Sequence, residues 1–214
     1  MSHRNLFRFC PRCATPLVNR DDHGRRRPTC PACGYVYYRN PAPAAGVLVH
    51  RAGKVLMVKR RLEPRAGAWC IPAGFMEYGE TPRQCATREL FEETGLRARL
   101  GELFGVYAGF DDPRVRAILV LYVAQQADGT LTPGDDAIEA RFFPLARPPK
   151  DIAFASHRQA LREFAPYVKR HAAASPAKPP AKPPRPARAA RPRSRPAYSR
   201  RHRLPASRDR DPHR

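Results

Sequence analysis

The sequence predicts an α/β domain, a mixed sheet between helices, with a small four-cysteine ribbon in front of it and a disordered basic tail behind. Three observations carry this. Apolar runs of strand length alternate with helical segments that hold their own caps between residues 41 and 170. Two C-x2-C pairs stand close together in the first 40 residues. Residues 171–214 hold 10 of the 25 prolines and no apolar periodicity. The expected division is therefore 1–40, 41–170 and 171–214.

The ribbon comes first. Cys10-Pro-Arg-Cys13 and Cys30-Pro-Ala-Cys33-Gly34 give the spacing C-x2-C-x16-C-x2-C. Each turn can place two sulfurs on one metal, so Cys10, Cys13, Cys30 and Cys33 are candidate ligands of a structural Zn²⁺ with a closed coordination sphere. A segment this short cannot bury enough core to fold unaided, which gives the metal a thermodynamic role. Cys70 and Cys85 are left over and read as small buried hydrophobes. Arg25-Arg26-Arg27, read as a loop between the knuckles, and Tyr35, Tyr37 and Tyr38 after them leave two readings open. They could bind a phosphate backbone and stack bases, or they could be a solvated loop with tyrosines packing the ribbon onto the next domain.

After Asn40-Pro41 the pattern becomes extended. Val47–Val49 and Val55–Val58 flank a short loop with Gly53, as in a hairpin. Trp69-Cys70-Ile71-Pro72-Ala73-Gly74 follows. Thr81, Pro82 and Gln84 then supply an N-cap, a first-turn proline and a capping-box partner, and Gly95 a left-handed C-cap. A helix over 82–94 results. Residues 115–123 and 140–143 read as further strands. Ser156, with Gln159 three residues on, reads as the cap of a last helix whose inner face is Ala160, Leu161, Phe164 and Val168.

The helix over 82–94 carries the chemistry. Glu89, Glu92 and Glu93 fall within an arc of roughly 100° on it. Like charges one turn apart repel, and anions in the C-terminal half of a helix oppose its dipole. A divalent cation reverses that balance, and all-oxygen ligation favours Mg²⁺ or Mn²⁺. Cys85 and Ala86, small residues toward the same arc, leave room for a ligand to approach.

The stretch from Gly74 to Leu96 reads G-x5-E-x7-R-E-L-x-E-E-x-G-L without a gap. This resembles the Nudix box, and the chain is similar to the zinc-ribbon Nudix hydrolases. The order C-P-x-C, C-P-x-C-G, aromatic-x-N-P, hairpin, W-x-I-P-A-G-F-M-E and box covers residues 7–96, and a looser match continues to about 168 through Asp151-Ile152-Ala153-Phe154. The resemblance implies an α/β/α sandwich and metal-dependent hydrolysis of a nucleoside diphosphate linked to another moiety. It implies that Glu89, Glu92 and Glu93 hold the catalytic cations with help from the backbone carbonyl of Ala73. Arg88 and Glu80 would brace the helix against its loop. A general base often comes from a later loop, where Glu139 and Asp136 are the candidates. One branch of these enzymes cleaves NADH and carries S-Q-P-W-P-F-P-x-S after the box. Residues 97–115 hold nothing like it, and the chain looks more like the branch that includes plant flavin-adenine-dinucleotide pyrophosphatases. FAD or ADP-ribose is then expected over NADH.

Net charge is +21, unevenly spread. Residues 171–214 hold 13 Lys and Arg against 2 Asp, and residues 1–40 hold 8 Arg against 2 Asp. The tail either attracts RNA or DNA weakly or only solubilises the protein. No apolar stretch reaches the length of a membrane span and no signal-peptide core follows Met1, so a cytoplasmic protein is expected. Its oligomeric state is open between monomer and homodimer. Three functions remain at this stage: a pyrophosphatase of small dinucleotides, an enzyme removing a nucleotide cap from RNA 5′ ends, and a non-catalytic binder.

Overall fold

A computed structural model describes residues 7–112, 115–134 and 136–174. Of the tail expected over 171–214, residues 175–214 lie outside the described residues, as does Asp135.

The ribbon is a two-stranded antiparallel hairpin, β1 (Val18–Asp22) and β2 (Arg25–Thr29). His23 and Gly24 turn it with φ of 52° and 79°, the left-handed pair that a tight hairpin needs. Arg25-Arg26-Arg27 is therefore strand, not loop, and the Arg27 guanidinium pairs with Asp22 at 2.8 Å. The tyrosine rings meet ribbon partners: Tyr37 packs edge-on to Phe7, Arg12 lies over Tyr35 and Arg27 over Tyr38.

Two four-stranded sheets build the main body. The first runs β7-β3-β9-β8, where β3 is Ala42–Leu48, β7 Ala73–Phe75, β8 Arg97–Gly109 and β9 Ala117–Asp128. It is mixed, because β3 runs parallel to β9 and antiparallel to β7. The second is antiparallel: β10 (Ala137–Pro144) pairs β5 (Lys54–Arg60), and β5 also pairs β4 (His50–Arg51) and β6 (Trp69–Cys70). The expected hairpin around Gly53 exists as β4–β5, but the chain changes sheets between Leu48 and His50. Its two apolar arms thus belong to different sheets.

Alternation along β3 explains the layering. Ala44 and Leu48 face one core with Leu119, Leu121, Ala160, Leu161 and Phe164. Ala45, Val47 and Val49 face the other with Cys85, Ala86 and Leu90. A central strand buried on both faces reads as a continuous apolar run, which Val47–Val49 shows. The helices α1 (Pro82–Thr94) and α2 (Ala155–Ala174) close the two faces, giving the helix–sheet–helix order.

Local signals explain α1 completely. Thr81 accepts from the Gln84 amide, Gln84 returns a side-chain contact to the Thr81 amide, and Gly95 ends the helix at φ 68°. For α2 the sequence signal misplaces the start. Ser156 is buried inside the first turn, and Asp111, two residues past β8, supplies the cap, its Oδ2 accepting from the Ala155 amide at 2.6 Å. Two tyrosines fasten α2 to β8: Tyr107 donates to Glu163 at 2.7 Å, and Tyr167 donates to Glu102 at 2.6 Å. The helix runs to Ala174, past the boundary expected at 170. Among the described residues, no helix is long and apolar enough to cross a membrane.

Phe164 is fully buried where Phe104, Tyr167 and His50 converge on it edge-on or stacked, at 5.3, 5.6 and 6.3 Å between ring centroids. Phe164→Ala should cost about 3–5 kcal/mol in urea unfolding, the range for emptying a buried phenylalanine site. A loss below 1 kcal/mol, on the order of a surface change, would show that α2 is not part of the cooperative core.

Candidate active site

α1 presents its acidic half toward the strand that precedes it. Gly74 on β7 lets the two come together: a Cβ built there would sit 2.1 Å from Glu89 Oε1. Cys85 and Ala86 are fully buried against the sheet, with Cys85 Sγ 3.5 Å from the Gly74 carbonyl. Their small size lets the helix approach the sheet, and the space expected there for a ligand is filled by protein.

The sequence-predicted residues gather around Arg88. Its guanidinium meets Glu80 through Nε at 2.8 Å and Nη2 at 2.9 Å, Glu89 at 2.7 Å, Glu92 at 2.9 Å and the Phe75 carbonyl at 3.1 Å. Hydrogen bonds from Arg88 hold the Glu80 carboxyl down at about 2. Glu80 also accepts from the Glu77 amide, which ties the loop before α1 to the same guanidinium.

Glu93 is placed differently. It is 7% exposed and accepts from the Ala73 amide at 3.1 Å. Burial, with Glu89 close by, pushes its carboxyl up to about 8. Burial pushes Glu89 upward too, against the pull of Arg88. Two carboxylates near each other in a dry site, one of them without a cationic partner at hydrogen-bond distance, carry a deficit of positive charge. Their hard oxygens match a small divalent cation. In this arrangement Glu92 instead turns to Arg88 on the more exposed side, so a cation taking all three carboxylates must draw Glu89 and Glu92 off the guanidinium.

A cavity of about 410 Å³ opens over these residues. Glu89, Glu93, Ala73 and Gly74 form one wall, and Asp136 joins them. Glu139 does not: the register shifts between Ala137 and Glu139 on β10, and Glu139 pairs with Arg141 at 3.3 Å. Of the two base candidates, Asp136 is therefore the one on the cavity. The lining also holds residues that sequence reasoning missed, Arg60, Asp111, Phe154 and His157. They come from the end of β5, the segment just past β8 and the start of α2. Only the Asp151–Phe154 segment gave any hint of them.

A second cluster lies in the ribbon. The Sγ atoms of Cys10, Cys13, Cys30 and Cys33 all lie within 4.8 Å of one another. Cys10–Cys33, Cys13–Cys30 and Cys13–Cys33 are 3.6, 3.5 and 3.6 Å apart. A tetrahedron with metal–sulfur arms of about 2.3 Å has edges of about 3.8 Å, so the four sulfurs fit one metal ion. The knuckles that hold them close on Cys10 and Cys30, whose carbonyls accept from the Ala14 and Gly34 amides at 2.9 and 3.1 Å.

Comparison with known proteins agrees with this geometry. A family model described as the NUDIX domain matches residues 40–164. The ADP-ribose pyrophosphatase of Methanocaldococcus jannaschii is 38% identical over 131 residues, covering 61% of this chain and 76% of that protein. The NAD-capped RNA hydrolase NudC of Chromobacterium violaceum is 36% identical over 135 residues, 62% of this chain but 48% of its own length. This chain thus spans about half of that relative. The crystal structure of a NUDIX hydrolase from Nitrosomonas europaea superposes with a TM-score of 0.67 at 33% identity, over 77% of this chain and 93% of that one.

His157 gives the cavity wall a pH signature. It is buried, its Nδ1 accepts from the Ile71 amide at 3.0 Å, and burial, aided by Arg60, depresses its pKa from 6.5 to about 4, with Asp111 opposing. The folded state keeps the ring neutral while the unfolded chain protonates it below 6.5. Stability should therefore be full above pH 6.5 and fall as pH drops toward 4, by about 3 kcal/mol from this residue. Urea titrations of wild type and His157→Gln between pH 7 and 4 check this. Equal acid losses in the two proteins would exclude His157 as the source.

Proposed function

We propose that this chain, which belongs to the NUDIX domain family, hydrolyses the diphosphate bond of a nucleoside diphosphate linked to a second moiety, with ADP-ribose, FAD or a related dinucleotide as substrate. The observation that carries the reading is the cavity that sets Glu89, Glu93 and Asp136 together against the Ala73–Gly74 backbone. The relative named ADP-ribose pyrophosphatase supports the substrate class. So does the absence of the NADH-branch array from residues 97–115.

Glu89, Glu92 and Glu93, with the Ala73 carbonyl, would hold Mg²⁺ or Mn²⁺. Bound there, the ion supplies charge neutralisation at the diphosphate oxygens and acidifies the attacking water. Arg88 fixes the carboxylates before loading and keeps the Glu80 loop against α1. Asp136 stands on the cavity as the group to take a proton from that water. Arg60, its Nε donating to the Pro64 carbonyl at 3.0 Å, holds a positive charge on the cavity lining for the substrate's anionic part. The four ribbon cysteines would hold Zn²⁺ with no open position, which makes that metal structural.

A second reading, removal of a nicotinamide-nucleotide cap from RNA, is favoured by the relative named NAD-capped RNA hydrolase. Side-by-side assays of ADP-ribose, FAD, NADH, NAD-capped RNA and dNTPs with each metal separate the two. ADP-ribose or FAD should give the highest kcat/KM. A clear preference for capped RNA or for dNTPs would overturn the choice.

Glu93→Gln and Glu89→Gln should each lower kcat by roughly 10²–10⁴, the scale of losing a group that positions charge stabilisation. At pH 8 and without metal, Glu93→Gln should also raise Tm. Its native carboxyl keeps its proton up to about 8 while the unfolded chain's carboxyl ionises near 4.5, so the fold loses stability as pH rises between these values. Wild-type turnover that survives EDTA would end the metal mechanism.

For the ribbon, elemental analysis of reduced, chelator-free protein should find close to one zinc per chain. Cys10→Ser and Cys33→Ser should lose it together with ribbon order. Metal-free wild-type protein with an intact ribbon spectrum would remove the structural role.

A further inference from the structure

His157 is a buried titratable side chain to which the reaction above gives no part. It stands in the first turn of α2, 6% exposed, with its ring tilted against Phe154 at 5.4 Å between centroids. Its Nδ1 is committed, because the Ile71 amide donates to it at 3.0 Å. A ring nitrogen accepts only through a lone pair, so the ring is neutral and its one proton sits on Nε2. That second nitrogen has no hydrogen-bond partner among the described residues. It is not a sealed, unpaired atom either, since no buried unsatisfied side-chain nitrogen or oxygen exists among them. His157 lines the cavity, with Nε2 as the ring nitrogen that the backbone bond leaves over.

The surroundings say what it meets there. Arg60 is the one cationic side chain on the cavity wall among the described residues, and it is held in place over the Phe154 ring at 5.1 Å. Phe154 is thus flanked by the Arg60 guanidinium and the His157 ring. The other charged groups on the wall are carboxylates, which as anions donate no hydrogen bond to a substrate anion. A fixed neutral donor beside the only cation is suited to an anionic oxygen. An imidazolium would face a larger desolvation cost in the same place. The ring is also fixed in advance by the backbone bond to Ile71, two residues before Ala73, so its donor keeps a constant position relative to the carboxylate wall.

Resting on the hydrolase reading above, we propose that His157 is a substrate-binding residue whose Nε2–H donates to a non-bridging oxygen of the substrate diphosphate, alongside Arg60. The role adds no proton transfer, because the ring stays neutral throughout.

Two substitutions separate this role from support of the fold. In His157→Asn the side-chain oxygen replaces Nδ1 and keeps the Ile71 bond, but nothing reaches the cavity. In His157→Gln the amide nitrogen reaches the place of Nε2. Calorimetric titration of full-length wild type and both variants with ADP-ribose, AMP and adenosine, without added metal, reads the contact directly. Loss of a hydrogen bond to a charged oxygen predicts that Asn weakens ADP-ribose and AMP binding by about 10- to 100-fold, while adenosine binding is unchanged. Gln should stay within about threefold of wild type. In wild-type protein the ¹⁵N resonance of His157 Nε2 should shift on addition of AMP and not of adenosine, a test that needs no variant to fold. AMP binding unaltered in Asn, equal losses for AMP and adenosine, or an unmoved Nε2 resonance would each overturn the proposal. Wild-type turnover of ADP-ribose with Mg²⁺, measured alongside, keeps the two readings distinct. His157-dependent AMP binding without turnover would sink the reaction and leave the contact. Turnover with His157-independent AMP binding would sink the contact alone.

Discussion

The Arg88 guanidinium meets three carboxylates and one backbone carbonyl, and the acidic half of α1 is tenable because of it. Glu89, Glu92 and Glu93 are spaced to repel one another and are set against the helix dipole. Arg88 offsets two of the three and leaves Glu93, inside, to be managed by protonation and by the Ala73 amide. The same guanidinium grips Glu80 and Phe75, so the loop that leads from β7 into α1 is fixed by the charge balance. One side chain therefore sets both the electrostatics of the helix and the path of the backbone beside it. A cation drawing Glu89 and Glu92 inward would exchange one positive partner for another, with the loop still held through Glu80.

Close packing makes that arrangement possible. Gly74 has no Cβ where Glu89 needs to lie, and Cys85 and Ala86 let α1 settle on β3. The result is a carboxylate pair in a place dry enough to shift both groups upward. Such a site gives up stability in the absence of a ligand and gains electrostatic strength in its presence, because charges interact more strongly away from water. The buried Glu93 is costly to the fold for the same reason that it is suited to a metal.

How far the sequence foretold this depends on the range of each interaction. The caps of α1 were legible because Thr81, Gln84 and Gly95 act within a few residues of one another. The ribbon was legible because thiolate spacing is itself the geometry. The start of α2 was not. Ser156 and Gln159 match a local capping pattern, but Asp111, 44 positions away, reaches the first amide and Ser156 turns inward. Strand β8 gave little signal, since Gly101 and Gly105 and its bulges break the alternation, and its pairing with β9 comes from tertiary contact. The switch of sheets at Val49 was equally hidden, because periodicity tells which face a residue takes and not which neighbour it joins. For the site itself, the box glutamates and Arg88 stand on one helix and could be named. Which of Asp136 and Glu139 lines the cavity is set beside a register shift on β10 that no pattern announces.

The rest of the cavity lining shows why its residues escaped. Asp111, two residues past β8, holds the first amide of α2. Two residues later His157 receives the Ile71 amide from the segment between β6 and β7. That segment runs directly into Ala73 and Gly74, which contact Glu93 and Glu89. Four pieces of chain separated by tens of residues are thus joined by hydrogen bonds from backbone amides to side chains into one frame around the cavity. Each link is a polar group satisfied by another element, so none leaves a mark in its own local sequence. The acidic wall is written along one helix, whereas the rest of the lining exists only once the sheet and α2 have closed.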